Sequence, residues 1–197
     1  MKRAIWPIAL VTLIAAGGLG VVAWRTLRPA DAPAPALVGG PFQLVDQTGH
    51  AVDEHILRGR WTVVFFGYTY CPDVCPTTLT ALGQTMAALK NEAARLGVVF
   101  ITVDPERDTP AQLSRYLASP SFPRGVIGLT GSPAQIAAAA TAYRVYFRKV
   151  PDGASYSMDH TAVVYLMDPN GRFSRPLDIS VSPEAVAQQV STAMNGA

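Results

Sequence analysis

The stretch WTVVFFGYTYCPDVCP, residues 61–76, joins a short apolar run to two cysteines. Residues 61–67 carry no charge and are rich in β-branched and aromatic side chains, which is typical of a strand buried on both faces. A helical pattern follows from about Thr77 to Leu96, and Gly97 is the expected end of that helix. Two thiols are therefore expected where a strand is followed by a helix, the edge of an α/β sheet at which sites are built.

The rest of the pattern predicts an α/β fold around this strand. A second apolar run, Val98–Val103, follows the helix, so the two runs are expected to be parallel neighbours. Short strands and turns are expected between residues 144 and 160, with a loop from Pro151 to Asp159 that could move like a hinge. The remaining predicted elements are an N-terminal hairpin over 42–52, helices over 110–117, 134–143 and 183–194, and strands over 126–129 and 161–167, the last paired with residues 172–173.

The N-terminal part of the chain predicts a membrane anchor. Residues 4–24 contain no charge and are long enough to cross a hydrocarbon core of roughly 30 Å as a helix. We expect a single transmembrane helix within residues 1–28, a linker rich in proline and alanine over 29–41, and a folded domain over 42–197. The alternative is a cleaved signal peptide, whose apolar region is usually shorter, about 7–15 residues.

The charges flanking the apolar segment do not settle its orientation, because Lys2 and Arg3 on one side are opposed by Arg25 and Arg28 on the other. A domain with two thiols is expected on the oxidising side of a membrane. We therefore expect a bacterial-type inner membrane protein whose soluble domain faces the periplasm. The net charge of +2, with scattered basic and acidic residues, gives no sign of a nucleic-acid partner, and none is expected.

Cys71 and Cys75 are the only cysteines of the chain and lie four positions apart. That spacing places them on one face of a helix or turn, where both sulfurs can reach one metal ion or form a strained, redox-active disulfide. A helix N-terminus favours the thiolate, which binds metals and also attacks disulfides. Two buried, inert cysteines are the structural alternative. A zinc site of four thiolates is excluded because no second pair exists.

His160 is the histidine best placed to join the cysteines, because it precedes the predicted strand over 161–167. His50 and His55 lie in polar connections and are expected at the surface. Asp159 is expected either to accept a hydrogen bond near the site or to be a turn residue. Asp104 and Asp108 follow an inner strand, where capping and turn formation are the expectation and a role at the site is the alternative.

Three blocks of sequence resemble the motifs of the Sco/SenC family: FFGYTYCPDVCP at 65–76, VDPERDTP at 103–110 and DHTAVVYLMDPNG at 159–171. Members of that family are copper proteins with a thioredoxin fold that assist cytochrome c oxidase assembly. The resemblance implies a thioredoxin-like mixed sheet flanked by helices, and copper ligands at Cys71, Cys75 and His160. Two thiolates and an imidazole also make a chemically good site for Cu(I), and for Cu(II) with an added oxygen ligand.

The resemblance implies a copper chaperone that delivers copper to the copper-accepting subunit of cytochrome c oxidase, with another copper chaperone as the expected donor. The alternative is a membrane-tethered thiol-disulfide oxidoreductase that uses Cys71 and Cys75 to reduce the cysteines of that subunit. The chain departs from the family at Tyr70, where many members have histidine. That histidine is not usually a ligand, so Tyr70 is expected to tune or line the site.

Overall fold

A computed structural model describes residues 38–196 of the chain. Its centre is a mixed, seven-stranded sheet of the thioredoxin-like α/β class, with helices packed around it. The strands are β1 (Gln43–Asp46), β2 (Ala51–Asp53), β3 (Trp61–Gly67), β4 (Leu96–Thr102), β5 (Ile127–Thr130), β6 (Phe147–Asp152), β7 (Ser155–His160), β8 (Val164–Met167) and β9 (Phe173–Leu177). The helices are α1 (Val74–Leu89), α2 (Pro110–Leu117), α3 (Pro133–Ala142) and α4 (Pro183–Asn195).

The sheet is built around β3, as the apolar run predicts. Its strand order is β2-β1-β5-β4-β3-β8-β9. Strands β3, β4 and β5 run parallel, whereas β8 lies antiparallel to β3. Every residue of β3 and β4 is buried, because both strands have neighbours at their edges and packed side chains on both faces. The carboxyl ends of β3 and β4 meet where Gly67 pairs with Thr102, and the residues that follow them form one surface region.

Helix α1 differs from the prediction at both ends. It begins at Val74, so Pro76 lies in the first turn, where a missing N–H costs no helical hydrogen bond. It ends at Leu89, because Lys90 adopts a left-handed backbone conformation with φ of 51°. Residues 90–95 form a short 3-10 helix. Gly97 is therefore not a helix cap but part of β4, where the side chain of Arg60 packs too closely to leave room for a Cβ atom.

The predicted hinge loop over 151–159 is wrong, since most of it belongs to a β-hairpin. Strands β6 and β7 pair with each other in a separate two-stranded sheet and turn through Gly153, whose φ is 57°. His160 is consequently the last residue of β7, and β8 begins only at Val164. The short strands and turns expected between residues 144 and 160 are present, but the strands are longer than predicted. They are mostly polar and exposed, so no alternation between apolar and polar residues marks their ends.

Most of the other predicted elements are confirmed within a residue or two, including the N-terminal hairpin and helices α2, α3 and α4. The β8–β9 hairpin is also present, but β8 begins three residues later than predicted and β9 extends four residues further, to Leu177. Within residues 38–196, no helix has both the length and the apolar character required to cross a bilayer. The predicted anchor over 1–28, and all of the predicted linker up to residue 37, lie outside the described residues.

Candidate metal centre

The two cysteines lie in the connection between β3 and α1, at the carboxyl edge of the sheet. The backbone N–H of Cys71 donates to the Tyr68 carbonyl at 3.3 Å, which closes a tight turn. The N–H of Cys75, in the first turn of α1, donates to the Cys71 sulfur at 3.4 Å. Cys71 is half-buried and Cys75 is fully buried, and the two are not joined by a disulfide. The turn thus presents one thiol towards solvent and keeps the other in the core.

His160 reaches the same place from the end of β7. Its Nε2 atom lies 3.9 Å from the Cys75 sulfur. Its Nδ1 atom lies 3.1 Å from the Thr161 carbonyl, so the tautomer that satisfies this contact donates from Nδ1 and leaves the Nε2 lone pair facing Cys75. The ring of Tyr68 packs edge-on against the imidazole with a centroid separation of 5.9 Å. These contacts give the imidazole the orientation of a metal ligand.

The two thiols have very different pKa values, so that one proton stays on Cys75 while Cys71 loses its own. A hydrogen bond from Cys75 is the main reason that the pKa of Cys71 falls to about 5, and the backbone N–H of Cys75 and the charge of His160 add to this. The pKa of Cys75 is raised, first because it donates that hydrogen bond and second because it is buried. At neutral pH the site therefore holds a Cys71 thiolate beside a Cys75 thiol.

The three side chains fit a copper ion by chemistry, because soft sulfur donors and an imidazole suit copper. Their ligand atoms are not all within 4.8 Å of one another, whereas those of Asp53, Glu54 and His55 are. Because Nε2 of His160 lies 3.9 Å from the Cys75 sulfur, the separation beyond 4.8 Å is one that involves the Cys71 sulfur. Cys71, whose side chain is half-exposed, is therefore the donor that has to move to complete the set. Cys71 and His160 border an open pocket of about 520 Å³.

The group formed by Asp53, Glu54 and His55 is a local turn structure at the surface. Asp53 accepts from the His55 backbone N–H at 3.0 Å and thereby caps a short 3-10 helix, Glu54–Leu57. Its carboxylate also contacts the His55 ring at 3.0 Å. His50 is exposed as well and contacts Thr48. The expectation that His50 and His55 are surface histidines is therefore confirmed.

Asp108 stabilises the segment before the cysteine turn by accepting hydrogen bonds. Its carboxylate accepts hydrogen bonds from the backbone N–H and the hydroxyl of Thr69, at 3.0 and 2.6 Å, and from the Thr102 hydroxyl at 2.6 Å. Burial raises its pKa, and these hydrogen bonds act in the opposite direction. Thr109, rather than Asp108, caps α2. Asp108 therefore ties the segment before Cys71 to the end of β4.

Asp104 connects the same edge of the sheet to the β6–β7 hairpin. Its buried carboxylate pairs with Arg107 and accepts a hydrogen bond from the Tyr156 hydroxyl at 2.8 Å. Sequence reasoning singled out Asp104 but missed Arg107 and Tyr156. A charge three residues after Asp104, within the VDPERDTP block, was the available signal for Arg107. Tyr156 gave no signal, because its polar surroundings resemble a loop.

Asp159 and Tyr70 lie beside the site without facing the sulfurs. Asp159 borders the pocket, but its carboxylate is exposed and pairs across the hairpin with Arg148 at 3.1 Å. The Tyr70 side chain is 54% exposed, and the Arg107 guanidinium lies 4.7 Å from its ring centroid. Of the four supporting residues predicted from the sequence, Asp104 and Asp108 are thus buried in the framework of the site, whereas Asp159 and Tyr70 form its rim.

Comparison with known proteins places this geometry in a family. The model of the SCO1/SenC family matches residues 30–195. The mitochondrial protein SCO1 homolog 1 of Arabidopsis thaliana is 44% identical over 140 residues, which cover 70% of this chain and 41% of the plant protein. The chain thus spans less than half the length of that relative.

Two solved structures have the same fold. The structure of Bradyrhizobium japonicum ScoI with copper bound is 48% identical and superposes with a TM-score of 0.73, covering 79% of this chain and 99% of that one. BsSco, described as a member of the Sco family of cytochrome c oxidase assembly proteins and as containing a disulfide switch, is 25% identical, with a TM-score of 0.64 and coverage of 82% and 97%.

Proposed function

Because the chain belongs to the SCO1/SenC family, we propose that it binds copper through Cys71, Cys75 and His160 and delivers it to the copper-accepting subunit of cytochrome c oxidase. The observation that carries this proposal is the 3.9 Å contact between the Cys75 sulfur and Nε2 of His160. An imidazole nitrogen beside the buried sulfur supplies the third donor of a copper site made of two thiolates and a histidine. Support also comes from ScoI, whose structure contains copper.

The charge state of the site suits uptake of a copper ion. Cys71 already carries a thiolate, so Cys75 is the sulfur ligand that has to lose its proton when copper binds. Delivery to another protein requires that ligands be exchanged one at a time. Cys71 is the half-exposed donor and Cys75 the buried one, so a thiol of the recipient would replace Cys71 first.

Titration of the full chain, purified in detergent, tests the proposal. Cu(I) is added without oxygen to the reduced protein and Cu(II) in air, and wild type is compared with Cys71→Ser/Cys75→Ser, His160→Ala and the matched control His55→Ala. We expect the double cysteine variant to lose tight Cu(I) binding and His160→Ala to lose affinity for Cu(II), while His55→Ala stays like wild type. Equal affinities in all four proteins would refute the proposal.

A second function is favoured by the low pKa of Cys71, about 5, together with its partial exposure. A half-exposed thiolate beside a protonated partner thiol is the arrangement of a dithiol that attacks disulfides. In this role the chain reduces the cysteines of the copper-accepting subunit so that they can receive copper. Both functions use the Cys71 thiolate. They can be distinguished at His160, because metal binding requires its imidazole and thiol exchange does not.

The location of the protein forms part of the proposal. We infer that residues 1–28 anchor the chain in the inner membrane as a single span and that residues 29–41 link it to a copper-binding domain over 42–197 in the periplasm, where another copper chaperone supplies the metal. The uncharged segment over residues 4–24 supports this. Protease added to intact spheroplasts should digest the domain, and a chain lacking residues 1–28 should leave the membrane fraction. A domain protected in spheroplasts would contradict the orientation.

A further inference from the structure

The β6–β7 hairpin carries His160 at its end, yet it is not part of the main sheet. Within residues 38–196 it pairs with no strand of the seven-stranded sheet. Backbone pairing therefore fixes the shape of the hairpin but not its position relative to the cysteines. That position depends on side chains: Met158 of β7 is buried in the core, and others cross from the hairpin to the loop after β4.

Arg107 makes the most extensive of these contacts. Its Nη1 atom donates to the backbone carbonyl of Tyr156 at 3.0 Å, and its guanidinium lies 3.7 Å from the centroid of the Tyr156 ring. The same guanidinium lies 4.7 Å from the ring centroid of Tyr70, the residue that precedes Cys71. One side chain thus contacts both the strand that ends at His160 and the turn that presents the first cysteine.

The ion pair of Arg107 with Asp104 is more buried than a second ion pair, which joins the hairpin to this loop, and it is therefore stronger. Arg107 pairs with Asp104, whose side chain is 0% exposed against 19% for Arg107, and Asp104 also accepts from the Tyr156 hydroxyl. Charge-assisted bonds of this kind are strong, and removing one partner leaves a buried charge without compensation. The second ion pair, between Lys149 and Glu106, has side chains 44% and 56% exposed and contributes little.

We propose that Arg107 is a positioning residue for the metal centre, which holds β7 so that Nε2 of His160 stays beside the Cys75 sulfur. The inference rests on the proposed copper function. Tyr156 and His160 lie four residues apart on the same strand, roughly 13 Å at 3.3 Å per residue, and the strand transmits the position of one to the other. Arg107 itself does not bind the metal.

The expected effect differs between the two copper states. Cu(I) is satisfied by the two thiolates, whereas Cu(II) gains more from an imidazole nitrogen. Loss of Arg107 should therefore weaken Cu(II) binding more than Cu(I) binding. Residues that orient a metal ligand typically change metal affinity by about 10–100-fold.

The test combines Arg107→Met with His160→Ala in the full chain and measures Cu(II) affinity. If Arg107 acts through His160, Arg107→Met lowers the affinity by about 10–100-fold in the wild-type background and changes it by less than about twofold when His160 is already alanine. Arg107→Lys should not restore affinity, because an ammonium lacks the planar fork that contacts Asp104 and Tyr156 together. Lys149→Met, the control on the same hairpin, should leave the affinity unchanged. An equal loss in both backgrounds overturns the proposal.

Hydrogen–deuterium exchange of the metal-free full chain keeps this test separate from the copper function. Arg107→Met should speed exchange in peptides covering residues 155–161 and leave peptides covering β3 unchanged, whereas Lys149→Met should change neither. Should His160→Ala leave copper affinity intact, the proposed ligand set fails, and the exchange result still decides whether Arg107 holds the hairpin. Unchanged exchange at 155–161, or a rise as large in β3, overturns the positioning role.

Discussion

The Sγ atom of Cys75 and the Nε2 atom of His160 lie 3.9 Å apart, although the residues are separated by 85 positions in the chain. The sulfur belongs to the first turn of α1 and the imidazole to the end of a hairpin outside the main sheet. Helix α1 does not position the imidazole, and the hairpin does not position the sulfur. The contact therefore depends on the packing around both, and this can be tested residue by residue.

The first prediction concerns Gly67, which lies directly behind the buried cysteine. A Cβ atom at this position would lie 2.8 Å from the Cys75 sulfur and 2.8 Å from Cε2 of Phe100. Gly67→Ala should therefore displace the sulfur and lower the free energy of unfolding by about 1–3 kcal/mol, the usual cost of overpacking. Urea denaturation of the metal-free protein measures the loss, and copper titration should show weaker binding.

Gly40→Ala is the matched control, because the nearest atom to its new Cβ would be Cβ of Ala142 at 3.4 Å. That substitution should change stability by no more than about 0.5 kcal/mol. If Gly67→Ala were as harmless as the control, the tight packing behind Cys75 would not be what holds the sulfur in place.

The second prediction follows from the pKa of Cys71, which is about 5 in the folded chain against an ordinary value of 9.0. The rate of alkylation of Cys71 by iodoacetamide should rise with a midpoint near pH 5 and level off by neutral pH. Cys75→Ala should move that midpoint to higher pH, because it removes the hydrogen bond that lowers the pKa most. A wild-type midpoint near pH 9 would contradict the shared proton.

The same shift makes the folding stability depend on pH. The folded pKa of Cys71 lies below the unfolded one, so the folded chain binds fewer protons at this group between about pH 5 and pH 9. The contribution of Cys71 is complete above pH 9 and is lost as the pH falls through about 5. The difference in unfolding free energy between wild type and Cys71→Ser should therefore grow between pH 5 and pH 8.

The third prediction separates copper binding from thiol exchange. The hydrogen bond from Cys75 lowers the Cys71 pKa most, and the charge of His160 has a smaller effect. His160→Ala should therefore keep the rate of exchange with an oxidised dithiol peptide within about threefold of wild type, since the thiolate persists. Stopped-flow measurement of the exchange checks this. Loss of exchange with unchanged copper affinity would make the oxidoreductase the main function.

The fourth prediction concerns the hydrogen bonds that Asp108 accepts from Thr69 and Thr102. Asp108→Ala leaves the buried Thr102 hydroxyl and the two partly buried Thr69 donors without this partner. It should lower the unfolding free energy by about 3 kcal/mol or more, since each such donor costs about 1–3 kcal/mol. Asp178→Ala, at an exposed carboxylate that accepts two bonds from Ser180, should cost no more than about 0.5 kcal/mol. Thermal or urea denaturation of both variants compares them. Similar losses would mean that the Asp108 network adds no stability.

Much of the fold follows from local patterns in the sequence. The apolar runs of β3 and β4 predict inner strands, because a parallel strand buried on both faces must be apolar throughout. Ser132, Thr109 and Ser182 mark helix starts, because each side chain accepts from a backbone N–H of the first turn. The strands over 147–152 and 155–160 extend further than predicted, because they bury little apolar surface and no periodic pattern marks their ends.

By itself, the sequence determined the inner strands, the helix starts and the position of two cysteines at the carboxyl end of β3, since these depend on periodicity and on residues near in the chain. It also singled out His160, although in the wrong strand. Only the tertiary structure decided that His160 faces the buried Cys75 and that Arg107 joins Asp104 to Tyr156. Such contacts depend on the register of a hairpin and on the burial of charges, which arise from the packing of distant segments rather than from any local pattern.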